Sequence, residues 1–247
     1  MISYDKVSKP GSRPVNEDYA AGIKYGNYYL FVLCDGLGGH GSGDVASRTA
    51  GEAFINEFVH YDGNIKKYYS AAYQRAQQNI AELQKTNESM SMMKTTLVSL
   101  IIDSGRASWT HIGDSRLYYF KNGELVMRTA DHSVPQMLYK SGEITEREIR
   151  FHPDRNKLLR ALGDMSKEPQ YTDSDFVPVE DQCAFLLCSD GFWEYITEGA
   201  MADRLKSSEN AAEWMSMMTE EVEKNNSGKK SDNYTAIAVI INEDGKL

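Results

Sequence analysis

The 247-residue sequence has few cysteines, and none of its three cysteines belongs to a Cys-x-x-Cys pair. Cys34 and Cys188 lie inside apolar runs, where a cysteine acts as a small buried hydrophobic side chain. A secreted disulfide scaffold usually has a denser and even set of cysteines, and a thiolate metal site needs closely spaced ones. We therefore expect neither a disulfide framework nor a metal site built on thiolates.

Long apolar segments are also missing from the sequence. No apolar run approaches the roughly 20 residues that a membrane-spanning helix requires. The first residues lack the basic and then apolar pattern of a secretory signal peptide. Together with the sparse cysteines, these absences predict a cytoplasmic protein that has no membrane partner.

Basic residues are outnumbered by acidic ones. Lys and Arg total 27 against 36 Asp and Glu, so the formal net charge is −9 at pH 7. Because binding to a phosphate backbone depends on a basic surface, we expect no nucleic-acid partner. A hydrophobic fraction of 41% and a charged fraction of 26% are typical of a globular protein. The sequence contains neither an internal repeat nor a long linker, which predicts a single domain over residues 1–247.

Apolar runs and helical periodicity predict a mixture of strands and helices. The predicted strands cover residues 28–34, 96–102, 107–112, 117–120, 125–127, 182–188 and 234–241. The predicted helices cover about 42–61, 64–85, 198–205 and 210–224. The Asn122-Gly123 dipeptide between two apolar runs is a strong hairpin signal. Clustered antiparallel strands with helix pairs between them favour an α+β fold over alternating βαβ units. Two sheets between helix pairs would fit, although periodicity does not determine the number of layers.

Acidic residues stand at the ends of several predicted strands. Asp35, Asp114 and Asp190 follow apolar runs, Asp232 precedes the last strand, and Glu17 lies at the start of an early one. A carboxylate at the end of a buried strand is partly desolvated and needs a partner. If these strand ends converge, mutual repulsion would be relieved by protonation or by divalent cations. A site of oxygen ligands alone selects Mg²⁺, Mn²⁺ or Ca²⁺ over Zn²⁺ or copper.

Two simpler interpretations of the same residues are open at this point. Asp-Gly is a common turn dipeptide, so Asp35-Gly36 could mark no more than a turn. The glycines between positions 36 and 43 could instead form a phosphate-cradling loop. That segment lacks the Gly-Lys-Ser/Thr ending of a P-loop and the glycine spacing of a Rossmann fingerprint. A site is favoured over a turn because Asp35-Gly36 and Asp190-Gly191 both end fully apolar runs.

A series of short motifs runs along nearly the whole chain. The motifs cover residues 13–18 (RPVNED), 35–40 (DGLGGH), 113–116 (GDSR), 131–133 (DHS), 159–163 (LRALG), 187–193 (LCSDGFW) and 232–235 (DNYT). In this order they resemble the motifs of the metal-dependent protein phosphatases, the PP2C (PPM) family, in its compact bacterial form. The resemblance implies a four-layer αββα sandwich, in which two antiparallel sheets are flanked by helix pairs. It also implies that residues 134–160 form a small flap beside the active site, with a role in the selection of protein substrates.

The resemblance assigns metal-binding roles to matched residues. Asp35 would bridge two metal ions, and the carbonyl of Gly36 would bind the first of them. Glu17, Asp190 and Asp232 would hold the second. The ions would be Mn²⁺ or Mg²⁺, because oxygen ligands accept both.

Further residues follow from the same resemblance. Asp114, together with Asp190, matches a third-metal site of bacterial members. Arg13 matches the residue that grips the substrate phosphate. Many family members carry a histidine directly after the Asp-Gly pair, where this chain has Leu37, which cannot transfer protons. His40 is therefore a candidate general acid, and a water on a metal ion is the alternative.

The function implied by the resemblance is hydrolysis of phosphoserine and phosphothreonine in proteins. A metal-activated water would attack phosphorus directly, so that no covalent phosphoenzyme and no catalytic Cys or Ser is required. The implied partners are phosphorylated proteins, including a bacterial Ser/Thr kinase and its targets. Two alternatives are open: a small-molecule phosphatase on the same metal site, and an inactive relative that binds phosphoproteins.

Overall fold

The computed structural model describes residues 1–38, 42–166, 168–179 and 182–242. Within these residues the strands are β1 (Ile2–Lys9), β2 (Asp18–Tyr25), β3 (Tyr28–Leu37), β4 (Lys94–Thr95), β5 (Leu97–Asp103), β6 (Arg106–Ile112), β7 (Arg116–Lys121), β8 (Glu124–Arg128), β9 (Thr172–Asp173), β10 (Val177–Pro178), β11 (Cys183–Cys188) and β12 (Tyr234–Ile241). The α-helices are α1 (Gly43–Phe58), α2 (Ile65–Thr86), α3 (Val134–Ser141), α4 (Glu146–Ile149), α5 (Asp190–Trp193), α6 (Glu198–Lys206) and α7 (Ala211–Asn226).

Two antiparallel sheets form the centre of the fold. The first has the order β1-β12-β11-β7-β8, and the second has the order β10-β6-β5-β3-β2, with β4 and β9 attached to β3 and β6. Neighbouring strands are antiparallel throughout the described ladders. The predicted hairpin at residues 122–123 joins β7 to β8.

Strand β3 shows how the layers are packed. Because successive side chains of a strand point to opposite faces, alternate residues of β3 contribute to different clusters. Leu30 and Val32 lie in the cluster that covers α1 and α2, whereas Phe31 and Leu33 lie in the cluster between the two sheets. A third cluster, which includes Trp214, packs the other sheet against α6 and α7. The predicted α+β class and the four-layer αββα sandwich are confirmed.

Two strands differ from their sequence-based prediction. Strand β3 continues through Asp35 and Gly36 to Leu37, because its last two residues pair with β4. The prediction that this strand stops at Asp35 is therefore wrong. Strand β1 was not predicted, since it is an edge strand whose residues are mostly half-buried or exposed and whose apolar pattern is correspondingly weak.

The segment of residues 134–160, which we call the flap, contains α3 and α4 and returns through turns. Its base is attached to the rest of the molecule by ion pairs. Arg150 lies 2.8 Å from Glu198, and Arg155 lies 2.6 Å from Glu194. Ile149 is buried as well. The flap is thus tethered at its base through α5, α6 and the residues that join them.

The structure also gives the state of the cysteines and the character of the helices. All three cysteines are buried and free. In the part of the chain that the structure describes, no helix combines the length and the apolar character needed to cross a bilayer.

Candidate active site

A cavity of about 260 Å³ gathers the acidic residues that the sequence singles out. It lies where strand ends of the two sheets meet. The residues that line it are Arg13, Glu17, Asp35, Gly36, Leu37, Gly38, Asp114, Asn156, Leu158, Asp190, Asp232 and Asn233. Every residue predicted as a metal ligand is therefore present in one wall or another of the same cavity, together with Arg13.

The cavity draws its carboxylates from both sheets. Asp35 lies near the end of β3, in the second sheet. Asp190 follows β11 and begins α5, and Asp232 precedes β12, so both come from the first sheet. Asp114 lies in the connection between β6 and β7, which belong to different sheets. Residues that are far apart in sequence thus meet because the two sheets pack face to face.

Close backbone packing brings Glu17 to this cavity. A side chain at Gly36 would come within 2.2 Å of the Gly43 carbonyl oxygen and within 2.6 Å of the Glu17 carbonyl oxygen, so only glycine fits there. The Gly36 amide donates to the Glu17 carbonyl, and the Gly43 amide donates to Glu17 Oε1 at 3.3 Å. Ser47 Oγ donates to the Glu17 carbonyl at 2.6 Å. Glu17 is therefore held beside the N-terminus of α1.

Crowding and burial strongly perturb the acidic residues. Desolvation raises the pKa of Asp35 well above its usual range, and the neighbouring charges of Asp18, Asp190 and Asp114 raise it further. Desolvation and the charge of Asp190 likewise raise the pKa of Asp114. Burial, followed by the charges of Glu194 and Asp232, raises the pKa of Asp190 to about 7. These carboxylates repel one another, so the site favours either protons or cations.

The donor set fits a divalent cation. All candidate side-chain donors are carboxylate oxygens, and the backbone of Gly36 lines the same cavity. Among the described residues, no group of three or more His, Cys, Asp or Glu side chains is arranged to hold a metal ion by itself. Mg²⁺ and Mn²⁺ prefer such oxygen ligands, and Mg²⁺ usually keeps several of its bound waters. The cavity has room for such waters.

Arg13 lies at the mouth of the cavity with more than half of its side chain exposed. Its Nη2 donates to Asp232 Oδ2 at 2.7 Å. This bond uses one donor of a guanidinium group that carries five, in a planar fork that matches the oxygens of a phosphate. Arg13 can therefore contact an acidic residue of the cavity and an anion in front of it at the same time.

Asn233 is a positioning residue that the sequence reasoning missed. Its side-chain oxygen accepts from the Glu17 amide at 2.8 Å, and its Nδ2 donates to the carbonyls of Pro10 and Val15, at 2.9 Å each. It thereby joins the segment that carries Arg13 and Glu17 to the segment that carries Asp232. The only sequence signal was its place in the motif at residues 232–235. Asn156, which reaches the cavity from the flap, lies in none of the motifs quoted above.

Two other candidate residues need separate mention. His40 lies outside the described residues. Asp18 lies against Ser189, whose Oγ donates to Asp18 Oδ2 at 2.9 Å. The other oxygen of the Asp18 carboxyl, Oδ1, is buried and has no hydrogen-bond partner among the residues that the structure describes. Burial raises the pKa of Asp18 to about 6.

The chain resembles known proteins over most of its length. A profile described as protein phosphatase 2C matches residues 11–232. The serine/threonine phosphatase stp of Listeria welshimeri is 32% identical over 218 residues, which cover 86% of this chain and 84% of that protein. The crystal structure of the Mycobacterium tuberculosis serine/threonine phosphatase PstP/Ppp has a TM-score of 0.85 at 28% identity, covering 98% of this chain and 99% of that one. The catalytic domain of PstP in complex with two manganese ions has a TM-score of 0.83 at 27% identity, covering 98% and 99% of the two chains. The chain belongs to the protein phosphatase 2C family, as its motifs predict.

Proposed function

We propose that this chain is a divalent-metal-dependent protein phosphatase that hydrolyses phosphoserine and phosphothreonine. The observation that carries the proposal is the convergence of the acidic residues on one cavity, with Arg13 at its mouth. Membership of the family and the names of the similar phosphatases support it. An inactive relative would be expected to have lost some of the metal-binding carboxylates, whereas this chain has retained all of them.

The proposed metal ligands follow the positions that line the cavity. Asp35 would bridge two ions, the Gly36 carbonyl would contribute to one of them, and Glu17, Asp190 and Asp232 would hold the other. When bound, Mn²⁺ or Mg²⁺ lowers the pKa of water and stabilises negative charge on the phosphoryl oxygens. The positive charge would offset the burial and the mutual repulsion that raise the pKa of Asp35 and Asp190. A third ion would be held by Asp114 with Asp190.

The proposed role of Arg13 is to hold the substrate phosphate. Its bond to Asp232 holds one nitrogen of the guanidinium group at the cavity, and more than half of the side chain is exposed. Paired N–H donors aimed at phosphoryl oxygens stabilise the charge that spreads over them during transfer. The peptide on either side of the phosphate would lie across the rim, which includes Asn156 and Leu158 of the flap.

Arg13→Ala is expected to lower kcat/KM for a phosphothreonine peptide on the order of a hundred-fold, because a phosphate-binding fork is lost. The measurement is steady-state kinetics at saturating Mn²⁺. Arg48→Ala is the matched control, since Arg48 is an exposed arginine on α1 whose partner Glu52 lies 3.8 Å away on the helix surface. Equal kinetics in the two variants would contradict the phosphate-binding role.

The proposed function is tested directly by comparing substrates. The purified chain, with Mn²⁺ added, is assayed against p-nitrophenyl phosphate, a phosphothreonine peptide and a set of nucleotides. We expect hydrolysis of the peptide and complete loss of activity with excess EDTA, restored by Mn²⁺. Preference for nucleotides over the peptide would favour the small-molecule phosphatase instead. Absence of any metal-dependent hydrolysis would favour the inactive, phosphoprotein-binding alternative.

The pKa of Asp190 predicts how pH affects the metal-free chain. The folded pKa is about 7, well above the ordinary value near 4 that applies to the unfolded chain. Between these values the folded chain holds a proton that the unfolded chain has lost. The stability that this group contributes is therefore present below about pH 4 and is lost as pH rises through about 7. Bound Mn²⁺ replaces the proton and removes this loss.

We accordingly expect Mn²⁺ to raise the melting temperature more at pH 7.5 than at pH 5.5. Thermal melts with Mn²⁺ and with EDTA at both pH values provide the measurement. The Asp190→Asn variant, which cannot titrate at this position, should show a flatter pH dependence in EDTA. An Mn²⁺-induced rise that is equal at the two pH values would speak against proton displacement at these carboxylates.

The physiological setting is the part of the proposal that depends most on the family resemblance. We propose that the substrates are phosphorylated proteins of the bacterial cytoplasm, including a Ser/Thr kinase and its targets. Residues 1–247 would act as one catalytic domain, and the flap would influence the choice of protein substrate. Dephosphorylation of a candidate kinase by the purified chain, measured with phosphosite-specific detection, tests this pairing.

A further inference from the structure

We propose that Trp193 and Arg116 are positioning residues that fix Asp114 relative to Asp190, and that they thereby set the metal affinity of the position these two carboxylates share. The inference rests on the proposed function only through the assignment of Asp114 and Asp190 as metal ligands. Neither Trp193 nor Arg116 lines the cavity described above. Their effect would be exerted through Asp114 and Asp190.

The first link is a hydrogen bond from the indole to the backbone of Asp114. Trp193 is 2% exposed, and its Nε1 donates to the Asp114 carbonyl oxygen at 3.1 Å. Helix α5 begins at Asp190 and ends at Trp193. This single helical turn therefore begins with the carboxylate of Asp190. It ends with the Trp193 indole, which holds the backbone of Asp114. The separation of the two carboxylates is set by this short rigid unit.

The second link fixes the orientation of the indole. The guanidinium carbon of Arg116 lies 3.5 Å from the centre of the Trp193 ring, which places the cation against the ring. Arg116 cannot move away from this position easily, because Nε and Nη2 bind the two oxygens of Asp131 at 2.9 and 2.8 Å. Its Nη1 donates to the Tyr118 hydroxyl at 3.0 Å. The planar group is thus held on several sides, and it holds the indole in turn.

The backbone on the other side of Asp114 is also constrained. Gly113 has a φ of +102°, and a Cβ there would come within 2.6 Å of the Thr96 side chain. The Gly113 carbonyl accepts from the His132 amide at 2.8 Å, and the Gly113 amide donates to His132 Nδ1 at 3.3 Å. Asp114 is therefore held in place from Gly113 on one side and by Trp193 on the other. Of these contacts, only the hydrogen bond from Trp193 connects Asp114 to α5, the helix that begins with Asp190.

Such a support is expected to act on metal binding more than on folding. Replacing a residue that orients a metal ligand without binding the metal itself typically lowers metal affinity by about 10- to 100-fold. Trp193→Phe keeps an aromatic ring for Arg116 to stack against and removes the N–H that holds Asp114. Trp214→Phe is a matched control, because Trp214 is equally buried and its Nε1 also donates to a backbone carbonyl, that of Met201, at 3.0 Å. The control removes the same kind of bond away from the cavity.

The experiment is calorimetric titration of the metal-free protein with Mn²⁺, with melting temperatures measured on the same samples. Asp114→Ala first identifies the binding step that depends on Asp114. We expect Trp193→Phe to weaken that step about ten-fold and to leave the other steps unchanged, whereas Trp214→Phe changes none of them. Both tryptophan variants should lower the melting temperature to a similar extent.

Three results would overturn the inference. The first is equal Mn²⁺ binding in Trp193→Phe and Trp214→Phe, and the second is the absence of any step that Asp114→Ala removes. If Trp193→Phe does not fold, Arg116→Lys replaces it in the experiment, because lysine retains the charge and removes the planar stacking group.

The third result that would overturn the inference is then unchanged Mn²⁺ binding by Arg116→Lys at the step that depends on Asp114. Failure of the wild-type chain to hydrolyse phosphopeptides would refute the proposed function alone, since Mn²⁺ binding is measured independently of turnover.

Discussion

Asp35→Asn is expected to lower Mn²⁺-dependent phosphatase activity on the order of a thousand-fold and to leave the fold intact. Asparagine has nearly the same volume as aspartate, but it cannot supply the negative charge needed to bridge two cations. Burial and four neighbouring carboxylates already raise the pKa of Asp35, so the neutral amide also removes repulsion. The metal-free variant should therefore melt at the same temperature as the wild type or at a higher one. Initial rates with Mn²⁺ and thermal melts in EDTA provide both readouts.

A second buried aspartate provides the control for this experiment. Asp103 is 3% exposed and accepts hydrogen bonds from Tyr61 and Arg106, away from the cavity. Asp103→Asn should lower the melting temperature and preserve kcat, which is the reverse of the pattern expected for Asp35→Asn. A wild-type rate in Asp35→Asn would show that the bridging role is assigned to the wrong residue.

The largest expected effect on stability comes from the buried ion pair of Arg116 and Asp131. Their side chains are only 3% and 2% exposed, and they are joined by two hydrogen bonds. Asp131→Asn would leave the Arg116 cation buried with much weaker compensation. Removing one partner of such a pair costs about 3–5 kcal/mol of unfolding free energy. Urea denaturation of the metal-free protein measures this loss.

The same substitution in an exposed ion pair supplies the reference. Asp62 and Lys67 lie 2.6 Å apart with both side chains about half or more exposed, so Asp62→Asn should have little effect on the urea midpoint, because solvent already screens that pair. If Asp131→Asn lost no more stability than Asp62→Asn, the buried pair could not be the support for Trp193 that its geometry indicates.

The elements predicted best from the sequence are strands in which every residue is buried. Strand β11 is buried at every position and β5 likewise, so each appears in the sequence as an unbroken apolar run. Strand β1 lies at a sheet edge and its residues are half-buried or exposed, so the sequence shows no apolar run at this strand. The short strands β9 and β10 are two residues each and depend on pairing with β6, which no local pattern encodes.

The candidate site could be predicted for a different reason. Aspartates at the ends of apolar runs are visible locally, and their motif order gave the family. The supporting contacts are not local: Asp18 meets Ser189 across 171 positions, and Glu17 meets Asn233 across 216. Such partners are chosen by the packing of the two sheets, so they become apparent only in the folded chain.

The carboxylates come from different sheets, and this affects how the protein would lose activity when it unfolds. Asp35 belongs to one layer and Asp190 and Asp232 to the other, and the apolar cluster between the layers keeps them together. Neither half of the sandwich contains all of the proposed metal ligands, so we expect a fragment that holds a single sheet to have no turnover. Separation of the two sheets and loss of catalysis would occur in one cooperative transition. The enzymatic rate would therefore report whether the two sheets remain packed together.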